Sequence, residues 1–200
     1  MRIQRNKGMM KRLILVILAV TAVLTLVSCG KPKDSDILAE YKALYEKAKE
    51  VNKIIYGQGL PYDGEFDKAA LTSPHYVAVS QSSPYKTEEE IKAAVLEVYT
   101  EDYYLDAFKR VLFDGHTDDY ATINARYKTV DGVLMTDVTY EGFASIAGGR
   151  CDTAQAYVVR SSRGSAEVGA PYFLNDVKQA SDKKVTMLLT ENGWRFDNLA

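Results

Sequence analysis

The sequence contains few cysteine and histidine residues. Its 200 residues include two cysteines, Cys29 and Cys151, and two histidines, His75 and His116, which lie far apart in the chain. No Cys-x-x-Cys pair and no zinc-ligand spacing is present, so a structural metal site is not predicted. Because Cys29 belongs to an N-terminal leader, Cys151 has no partner for an intramolecular disulfide. Packing and hydrogen bonds must therefore hold the folded part together.

Several catalytic motifs are absent as well. The sequence has no Gly-x-Gly-x-x-Gly, P-loop, His-Glu-x-x-His or Gly-x-Ser-x-Gly pattern. This argues against the nucleotide-binding, metallopeptidase and serine-hydrolase classes that these patterns mark. Pocket enzymes that use scattered Asp, Tyr and His residues leave no such pattern and stay open as an alternative. We expect a protein that binds a partner without doing chemistry, and we expect no cofactor and no metal.

Positive charge is scarce outside the leader. The chain has 25 Lys and Arg against 27 Asp and Glu residues, and residues 1–29 hold five of the basic and none of the acidic ones. The remainder therefore carries 20 basic and 27 acidic residues, a formal net charge of −7. Nucleic-acid binding needs a basic surface, so the sequence excludes a nucleic-acid partner. Adhesion to anionic lipids or wall polymers through charge is disfavoured for the same reason.

The leader has the layout of a secretory signal. Basic residues precede an apolar run over residues 13–27, which ends in Leu26-Val27-Ser28-Cys29. This run is short for a transmembrane helix. Small residues followed by a cysteine resemble the lipobox of bacterial lipoproteins. The resemblance implies cleavage before Cys29, lipid on its thiol, and anchoring on the extracytoplasmic face of the cell membrane. The alternative is an uncleaved transmembrane anchor.

The expected organisation follows from the leader. We predict a lipoprotein signal peptide over residues 1–28, a lipidated tether over 29–34, and a single domain over 35–200. A domain of this length can bury its own hydrophobic core.

The first part of the domain has helical periodicity. Apolar residues at spacings of three and four predict a long helix over residues 37–55, which Ser35 or Asp36 would cap. Thr87 opens a capping box before a second helix, and Thr100 is placed to start a third. The sequence therefore predicts a long helix, a strand over residues 75–80 and two short helices with a bend near Thr100.

Beyond residue 120 the periodicity is that of strands. Asp131-Gly132 lies between two alternating runs and predicts a two-residue hairpin, and Asn192-Gly193 predicts a second one. The predicted strands cover residues 123–130, 133–136, 153–161, 165–174, 185–190 and 194–196. Helices followed by a meander of strands predict an α+β fold, in which a curved antiparallel sheet packs against the N-terminal helix.

This order of elements is similar to cystatin-like and nuclear-transport-factor-like folds, in which a bent sheet wraps a long helix. Residues 98–100, 127–134 and 191–197 resemble segments of the IseA/YoeB family of Gram-positive wall proteins, which inhibit DL-endopeptidases. The pattern is also similar to an uncharacterised clostridial lipoprotein family. The first resemblance implies surface-mediated inhibition of a cysteine peptidase of the NlpC type. The chain departs from the inhibitors in its lipid anchor and in Ala147-Gly148-Gly149-Arg150.

Two groups of residues are candidates for chemistry at a reactive or metal site. Cys151 with His75 or His116 would supply a nucleophile and a base, but a buried structural cysteine is the more common arrangement. Residues 114–119 concentrate oxygen and nitrogen ligands without the order of an EF-hand. A solvated acidic connection is favoured there, and calcium binding stays as an alternative.

Tyrosines and arginines are the candidates for ligand binding. Among 14 tyrosines, Tyr127 and Tyr157 lie on predicted strands and are candidates to line a pocket for a small ligand or a wall fragment. The guanidinium groups of Arg126, Arg150 and Arg195 suit a carboxylate or a phosphate. Packing in the sheet is the alternative for each tyrosine.

The segment over residues 137–150 is the candidate partner-binding loop. It contains three glycines, with Tyr140 and Phe143 outside any clear period and Arg150 at its end. Long loops without regular structure are often functional, and apolar residues on such a loop suit insertion into a cleft. We expect Tyr140, Phe143 and Arg150 to contact a cell-wall peptidase or a wall fragment. The alternative is that these side chains pack back onto the sheet.

Overall fold

A long first helix organises the fold. The computed structural model describes residues 31–117, 122–140 and 149–199 of the chain. Helix α1 spans Asp34–Ile55 and buries one stripe of side chains, as the periodicity predicted. The buried members are Ile37, Tyr41, Leu44, Tyr45, Ala48, Val51, Ile54 and Ile55. The predicted caps are wrong, because Lys33 occupies the N-cap position and makes no side-chain cap bond. Ser35 and Asp36 therefore lie within the first turn.

Two further helices follow, with the predicted bend between them. Helix α2 spans Glu88–Leu96, and its capping box is confirmed: the Thr87 side chain accepts from the backbone of Glu90, whose carboxylate accepts from the backbone of Thr87. Helix α3 begins at Glu101–Tyr103 behind the predicted cap Thr100. It continues with π-helical geometry over Tyr104–Phe108 and Arg110–Asp114, which the apolar spacing did not predict.

The described strands form four antiparallel sheets. Their bounds are β1 Tyr76–Ala78, β2 His116–Thr117, β3 Thr122–Ile123, β4 Tyr127–Val130, β5 Val133–Asp137, β6 Gly149–Cys151, β7 Tyr157–Ser161, β8 Ser165–Ala170, β9 Tyr172–Leu174, β10 Val177–Lys178, β11 Lys183–Thr190 and β12 Gly193–Phe196. The strand orders are β1-β5-β4, β10-β9-β6, β12-β11-β8-β7 and β2-β3. Short 3-10 helices lie at Lys68–Ala70 and Thr153–Gln155. Helices with antiparallel sheets confirm the α+β class.

The four-stranded sheet provides the face that packs against α1. Val168, Val185 and Met187 are fully buried on this face. The rings of Tyr41 on α1 and Phe196 on β12 pack edge to face, with centroids 5.8 Å apart. The main core therefore lies between α1 and the inner face of this sheet, and aromatic pairs contribute to it beyond their buried area.

Two predicted strands are divided in the structure. The run over residues 165–174 breaks at Pro171, so that β8 and β9 belong to different sheets. Proline has no N–H for the ladder, and the Pro171 carbonyl instead accepts from the N–H of Asp152 at 2.8 Å. The run over residues 123–130 is broken at 124–126. In the second predicted hairpin the loop is Glu191-Asn192, and Gly193 opens β12 with φ of 96°.

Side chains at the start of β4 donate hydrogen bonds to backbone carbonyls at the C-terminal end of α1. The hydroxyl of Tyr127 donates to the carbonyl of Ile54 at 3.0 Å. The guanidinium of Arg126 donates from Nη1 to Ile55 at 3.2 Å and from Nη2 to Gly57 at 2.6 Å. Carbonyls at a helix end lack partners within the helix and must find them elsewhere. In this fold a strand about 70 residues further along the chain supplies them.

Candidate functional site

A two-residue hairpin projects from the three-stranded sheet β1-β5-β4. Asp131 has φ of 51° and Gly132 has φ of 78°, and positive values at both positions define the type I′ turn that the sequence predicted. A Cβ built on Gly132 meets no atom within 4 Å beyond its chain neighbours, so the tip stands in open space. Val130 and Val133 close the turn as a directly opposed pair. They remain 42% and 47% exposed.

The face that carries these valines continues along the sheet. Lys128 opposes Met135, which in turn opposes Ala78 on β1. Opposed residues and alternate residues of a strand share one face. We call the accessible part of this face the outer patch, and its members are Tyr76, Ala78, Lys128, Val130, Val133 and Met135; Asp137 lies on the same face, opposite Tyr76, and is buried. The ammonium of Lys128 lies 3.8 Å from the centroid of the Tyr76 ring, a cation–π contact. The outer patch therefore combines an apolar tip with one cation.

The opposite face anchors the hairpin to the rest of the fold. Tyr127, Leu134 and Thr136 are buried on this face. The Thr129 hydroxyl donates to the carboxylate of Glu88, in the first turn of α2, at 2.8 Å. The hairpin is thus fixed by burial on one side and by a hydrogen bond near its tip. Its exposed valines are presented in a preformed arrangement.

The predicted partner-binding loop is described only in part. Tyr140 lies at its start, and Phe143 lies outside the described residues. The Arg126 guanidinium lies over the Tyr140 ring, 4.3 Å from the centroid. Burial raises the pKa of Tyr140, and the charge of Arg126 offsets part of that increase. The Tyr140 ring therefore packs back onto the fold, which was the alternative interpretation of this loop.

The two candidate pocket tyrosines have different surroundings. Tyr127 is fully buried, and its hydroxyl bridges the carbonyl of Ile54 and the N–H of Leu60, each at 3.0 Å. Tyr127 therefore fills the core, and its assignment to a ligand pocket is wrong. Tyr157 is 44% exposed, and its hydroxyl donates to the Asp182 carboxylate at 3.0 Å. This hydrogen bond raises the pKa of Tyr157.

The candidate arginines serve local contacts. As shown above, Arg126 donates to the C-terminal end of α1, and Arg195 Nε donates to Leu96 at the end of α2 at 2.8 Å. A cation at the C-terminal end of a helix complements the helix dipole. Arg150 Nε donates to the Asp176 carboxylate at 3.1 Å, and its guanidinium lies 4.3 Å from the Phe173 ring centroid. Arg126 and Arg195 therefore stabilise helix ends, and Arg150 binds a carboxylate of the chain itself.

Cys151 is a buried thiol on β6. It is 8% exposed, and its backbone N–H donates to the Tyr45 hydroxyl at 2.6 Å. Burial raises the pKa of the thiol, and contacts with the hydroxyls of Tyr41 and Tyr45 partly offset this. The charged groups that act on it are Lys183 and Asp182. Within the described part of the chain no histidine is among the groups that shift its pKa, in agreement with a structural cysteine.

The acidic segment over residues 114–119 is also described only in part. Asp114 pairs with Lys109 at 3.2 Å, whereas Asp118 and Asp119 lie outside the described residues. Across residues 31–117, 122–140 and 149–199, no group of three or more His, Cys, Asp and Glu residues could hold a metal ion.

Beyond the leader, the chain contains the Ser-x-x-Lys spacing at Ser83 and at Ser181, a spacing used by some serine acyl enzymes. Residues three apart are neighbours on a helix, but both stretches lie outside the helices. Lys86 donates to the carbonyl of Ser80 at 2.6 Å, and the Ser83 hydroxyl donates to the carbonyl of Tyr85 at 2.9 Å. The Ser83 hydroxyl and the Lys86 ammonium are therefore not directed at each other.

Two of the segments that carry the family resemblance lie against each other. The N–H of Thr100 donates to the carbonyl of Phe196 at 2.9 Å, and the N–H of Phe196 donates to the carbonyl of Val98 at 2.8 Å. The Thr100 hydroxyl donates to the Asp197 carboxylate at 2.6 Å. These contacts tie the junction of α2 and α3 to the last strand, and the third segment is the β4–β5 hairpin. The motifs therefore hold the fold together.

Two of the clefts on the described surface outside the hairpin are as follows. One, of about 450 Å³, lies between α1 and α2, with Val51 and Val98 at its base. The other, of about 360 Å³, lies on strands β7, β8 and β11. The sequence patterns pointed to neither cleft; the first is lined by segments that are distant along the chain, and the second mostly by residues 160–167.

Comparison with known proteins gives no family. No protein-family model and no curated protein matches the chain. Among the helices that the structure describes, none is both long enough and apolar enough to cross a membrane.

Proposed function

We propose that this protein is a lipid-anchored protein on the extracytoplasmic face of a Gram-positive cell membrane. Its α+β domain, of cystatin-like or nuclear-transport-factor-like fold, binds a cell-wall peptidase of the NlpC type and modulates its activity without doing chemistry. The β4–β5 hairpin is the contact element in this proposal. The leader that ends at Cys29 supports the location. The valine pair at the hairpin tip supports the mode of binding.

The observation that carries the proposal is the exposure of Val130 and Val133 on a fixed turn. Burying a valine side chain contributes about 1.5–3 kcal/mol when it is wholly removed from water, so two half-exposed valines offer about 2 kcal/mol together. The type I′ turn and the bond from Thr129 to Glu88 hold the tip in place before binding. Little ordering entropy is then lost on association, which favours a preformed tip over a flexible loop.

A peptidase assay with matched variants tests this proposal. The full chain, purified in detergent micelles, would be added to an NlpC-type DL-endopeptidase acting on a muropeptide. The double substitution Val130→Thr and Val133→Thr keeps the β-branched shape and the strand propensity while adding a hydroxyl to each side chain. We expect inhibition to weaken by about tenfold or more, with an unchanged melting temperature.

The matched control is Val177→Thr. Val177 is 65% exposed and also follows a two-residue turn, Asn175-Asp176, in the β9–β10 hairpin. Its substitution should leave inhibition unchanged. The proposal is wrong if the wild-type chain does not affect the peptidase. The hairpin assignment is wrong if the double variant and the control inhibit equally well.

A further inference from the structure

The cleft between the first two helices has an apolar base and a mainly acidic rim. We call it the α1–α2 cleft, and its volume of about 450 Å³ falls within the range of small-ligand sites. Val51 of α1 and Val98, which follows α2, are 5% and 1% exposed and form its base. The cleft shares no residue with the outer patch.

The apolar lining of the cleft is accessible and fixed in place. Ala93 and Ala94 of α2 line it with small side chains, and Pro84 and Tyr85 of the preceding segment complete the apolar lining. The Ser83 hydroxyl donates to the Tyr85 carbonyl at 2.9 Å and accepts from the Tyr85 N–H at 3.3 Å. Because this segment is held by its own hydrogen bonds, little ordering entropy is lost when a ligand enters.

Three carboxylates line the rim, namely Glu50, Glu90 and Glu97. Among the lining residues that the structure describes, only Lys47 is basic, and its ammonium lies 3.2 Å from the Glu97 carboxylate. Glu50 pairs with Lys53, which lies outside the cleft, at 2.8 Å. The side chains of both pairs are more than half exposed, and exposed pairs of this kind contribute little stability. A cation from a ligand can therefore replace either lysine at low cost.

The third carboxylate, that of Glu90, pairs with no lysine or arginine in the described part of the chain. One of its oxygens accepts from the backbone N–H groups of Lys86 and Thr87 in the capping box. This carboxylate already compensates the positive end of the α2 dipole, so the start of α2 offers no site for an anion. The second oxygen of Glu90 is left for a donor from a ligand.

The surrounding part of the chain has the same sign of charge. Residues 34–114, which contain all the lining segments except none of the later strands, hold 16 acidic and 9 basic residues, a formal net charge of −7. Residues 115–200 hold 11 acidic and 9 basic residues, a formal net charge of −2. Most of the negative charge therefore surrounds the cleft, and such a field attracts cations and repels anions.

We propose that the α1–α2 cleft binds a short cationic peptide segment, in which apolar side chains stand next to lysine or arginine. The apolar side chains would cover Val51 and Val98, and the basic groups would pair with the rim carboxylates. An anionic segment would meet three carboxylates, and a neutral one would leave them without a new partner. The inference does not depend on the proposed peptidase interaction, because that interaction uses the β4–β5 hairpin.

Titration with three matched peptides tests the inference. The probes are blocked tetrapeptides of two central leucines flanked on each side by lysine, by glutamine or by glutamate. The full chain would be kept in micelles of an uncharged detergent, and titration of the micelles alone would give the background. We expect amide shifts at residues 47–51, 84–85 and 90–98 with the lysine peptide only. Its affinity should fall from low to high salt, because exposed charges are screened.

Charge variants on α1 have matched controls. Glu50→Gln should weaken binding of the lysine peptide by about three- to tenfold, the effect of one exposed charge pair. Glu46→Gln removes the same kind of i,i+3 pair, with Lys49, outside the cleft. It should change the affinity by less than about twofold, since the charge is further from the ligand. Lys47→Gln should strengthen binding, because the competing ammonium is removed.

A steric variant separates the cleft from general attraction to an acidic surface. Ala94→Leu places a larger side chain in the cleft at little cost in helix propensity, and it should abolish binding. Ala43→Leu, at an exposed position of α1 outside the cleft, should leave the affinity unchanged. An unchanged melting temperature would show that both variants fold. The inference is overturned if the lysine peptide does not bind, if the three peptides bind equally, or if either member of a matched pair behaves like the other.

Discussion

Replacing Arg126 should lower the free energy of unfolding, because its side chain joins the end of α1 to the start of β4. It is 2% exposed, and its guanidinium donates to the carbonyls of Ile55 and Gly57 at the end of α1. Among the described residues, no carboxylate pairs with it. Gly59, with φ of 79°, lies directly against it, and a Cβ built there would overlap Nη2 of Arg126. The two residues should therefore be energetically coupled.

The size of the effect follows from the bonds that are lost. Arg126→Met keeps the length of the apolar stem but leaves the carbonyls of Ile55 and Gly57 without their donor. Each unsatisfied buried acceptor costs about 1–3 kcal/mol, so we expect a loss of about 2–5 kcal/mol in the free energy of unfolding. Gly59→Ala should cost about 1–2 kcal/mol from its positive φ alone, and more from the displaced guanidinium.

A double-mutant cycle separates these two costs. Urea unfolding of the wild type, both single variants and the double variant would give four free energies. In the Arg126→Met background the overlap is gone, so Gly59→Ala should cost only the backbone strain. The double variant should then be more stable than the sum of the single losses implies, by about 1 kcal/mol or more. Additive losses, or a loss below about 0.5 kcal/mol for Arg126→Met, would refute the reasoning.

Three further predictions concern the leader and the buried titratable groups. Cys29→Ala should abolish metabolic labelling with a fatty-acid analogue, and label that survives in the variant contradicts lipidation at this residue. Cys151 should resist alkylation in the native protein and react after unfolding, because burial raises the pKa of its thiol; equal rates in both states contradict this. Burial also raises the pKa of Tyr41 and Tyr127, and that of Tyr45 to about 12. The native state therefore keeps protons that the unfolded state loses above about pH 10, so the urea midpoint should fall between about pH 10 and pH 12, and a constant midpoint contradicts this.

The elements that the sequence predicted correctly depend on neighbouring residues. The stripe on α1 comes from spacings of three and four, the capping box at Thr87 spans four residues, and the Asp131-Gly132 turn needs two. Where a predicted helix or strand differs from the structure, contacts with residues distant along the chain or a single interrupting residue set its bounds. Pro171 ended a strand that alternation alone extended to residue 174.

The candidate site could be predicted only in part. The hairpin was predicted from its turn, but the exposure of Val130 and Val133 depends on which face of the strands meets the core. The alignment of Arg160 with Thr186 left no sequence signal, since the two residues lie on strands that are separated by β8. A bulge of one residue sets this alignment, and alternation of apolar and polar residues does not reveal it.

The residue types that usually indicate chemistry have a different role in this protein. Arginine, cysteine and tyrosine are common candidates for function in a sequence because they bind anions, react or stack. In this structure Arg126, Cys151 and Tyr127 are all buried. The polar atoms of Arg126 and Tyr127 bond backbone groups, and the Cys151 thiol contacts the hydroxyls of Tyr41 and Tyr45, because a polar group must find a partner once it leaves water. Each of them therefore has a physical reason to be present without any ligand. The valine pair at the hairpin tip bonds no polar group and stays 42% and 47% exposed, so within the fold it has only its strand propensity and the contact between the two opposed side chains. Among the described residues, Val130 and Val133 are consequently better evidence of a partner than any of the reactive side chains.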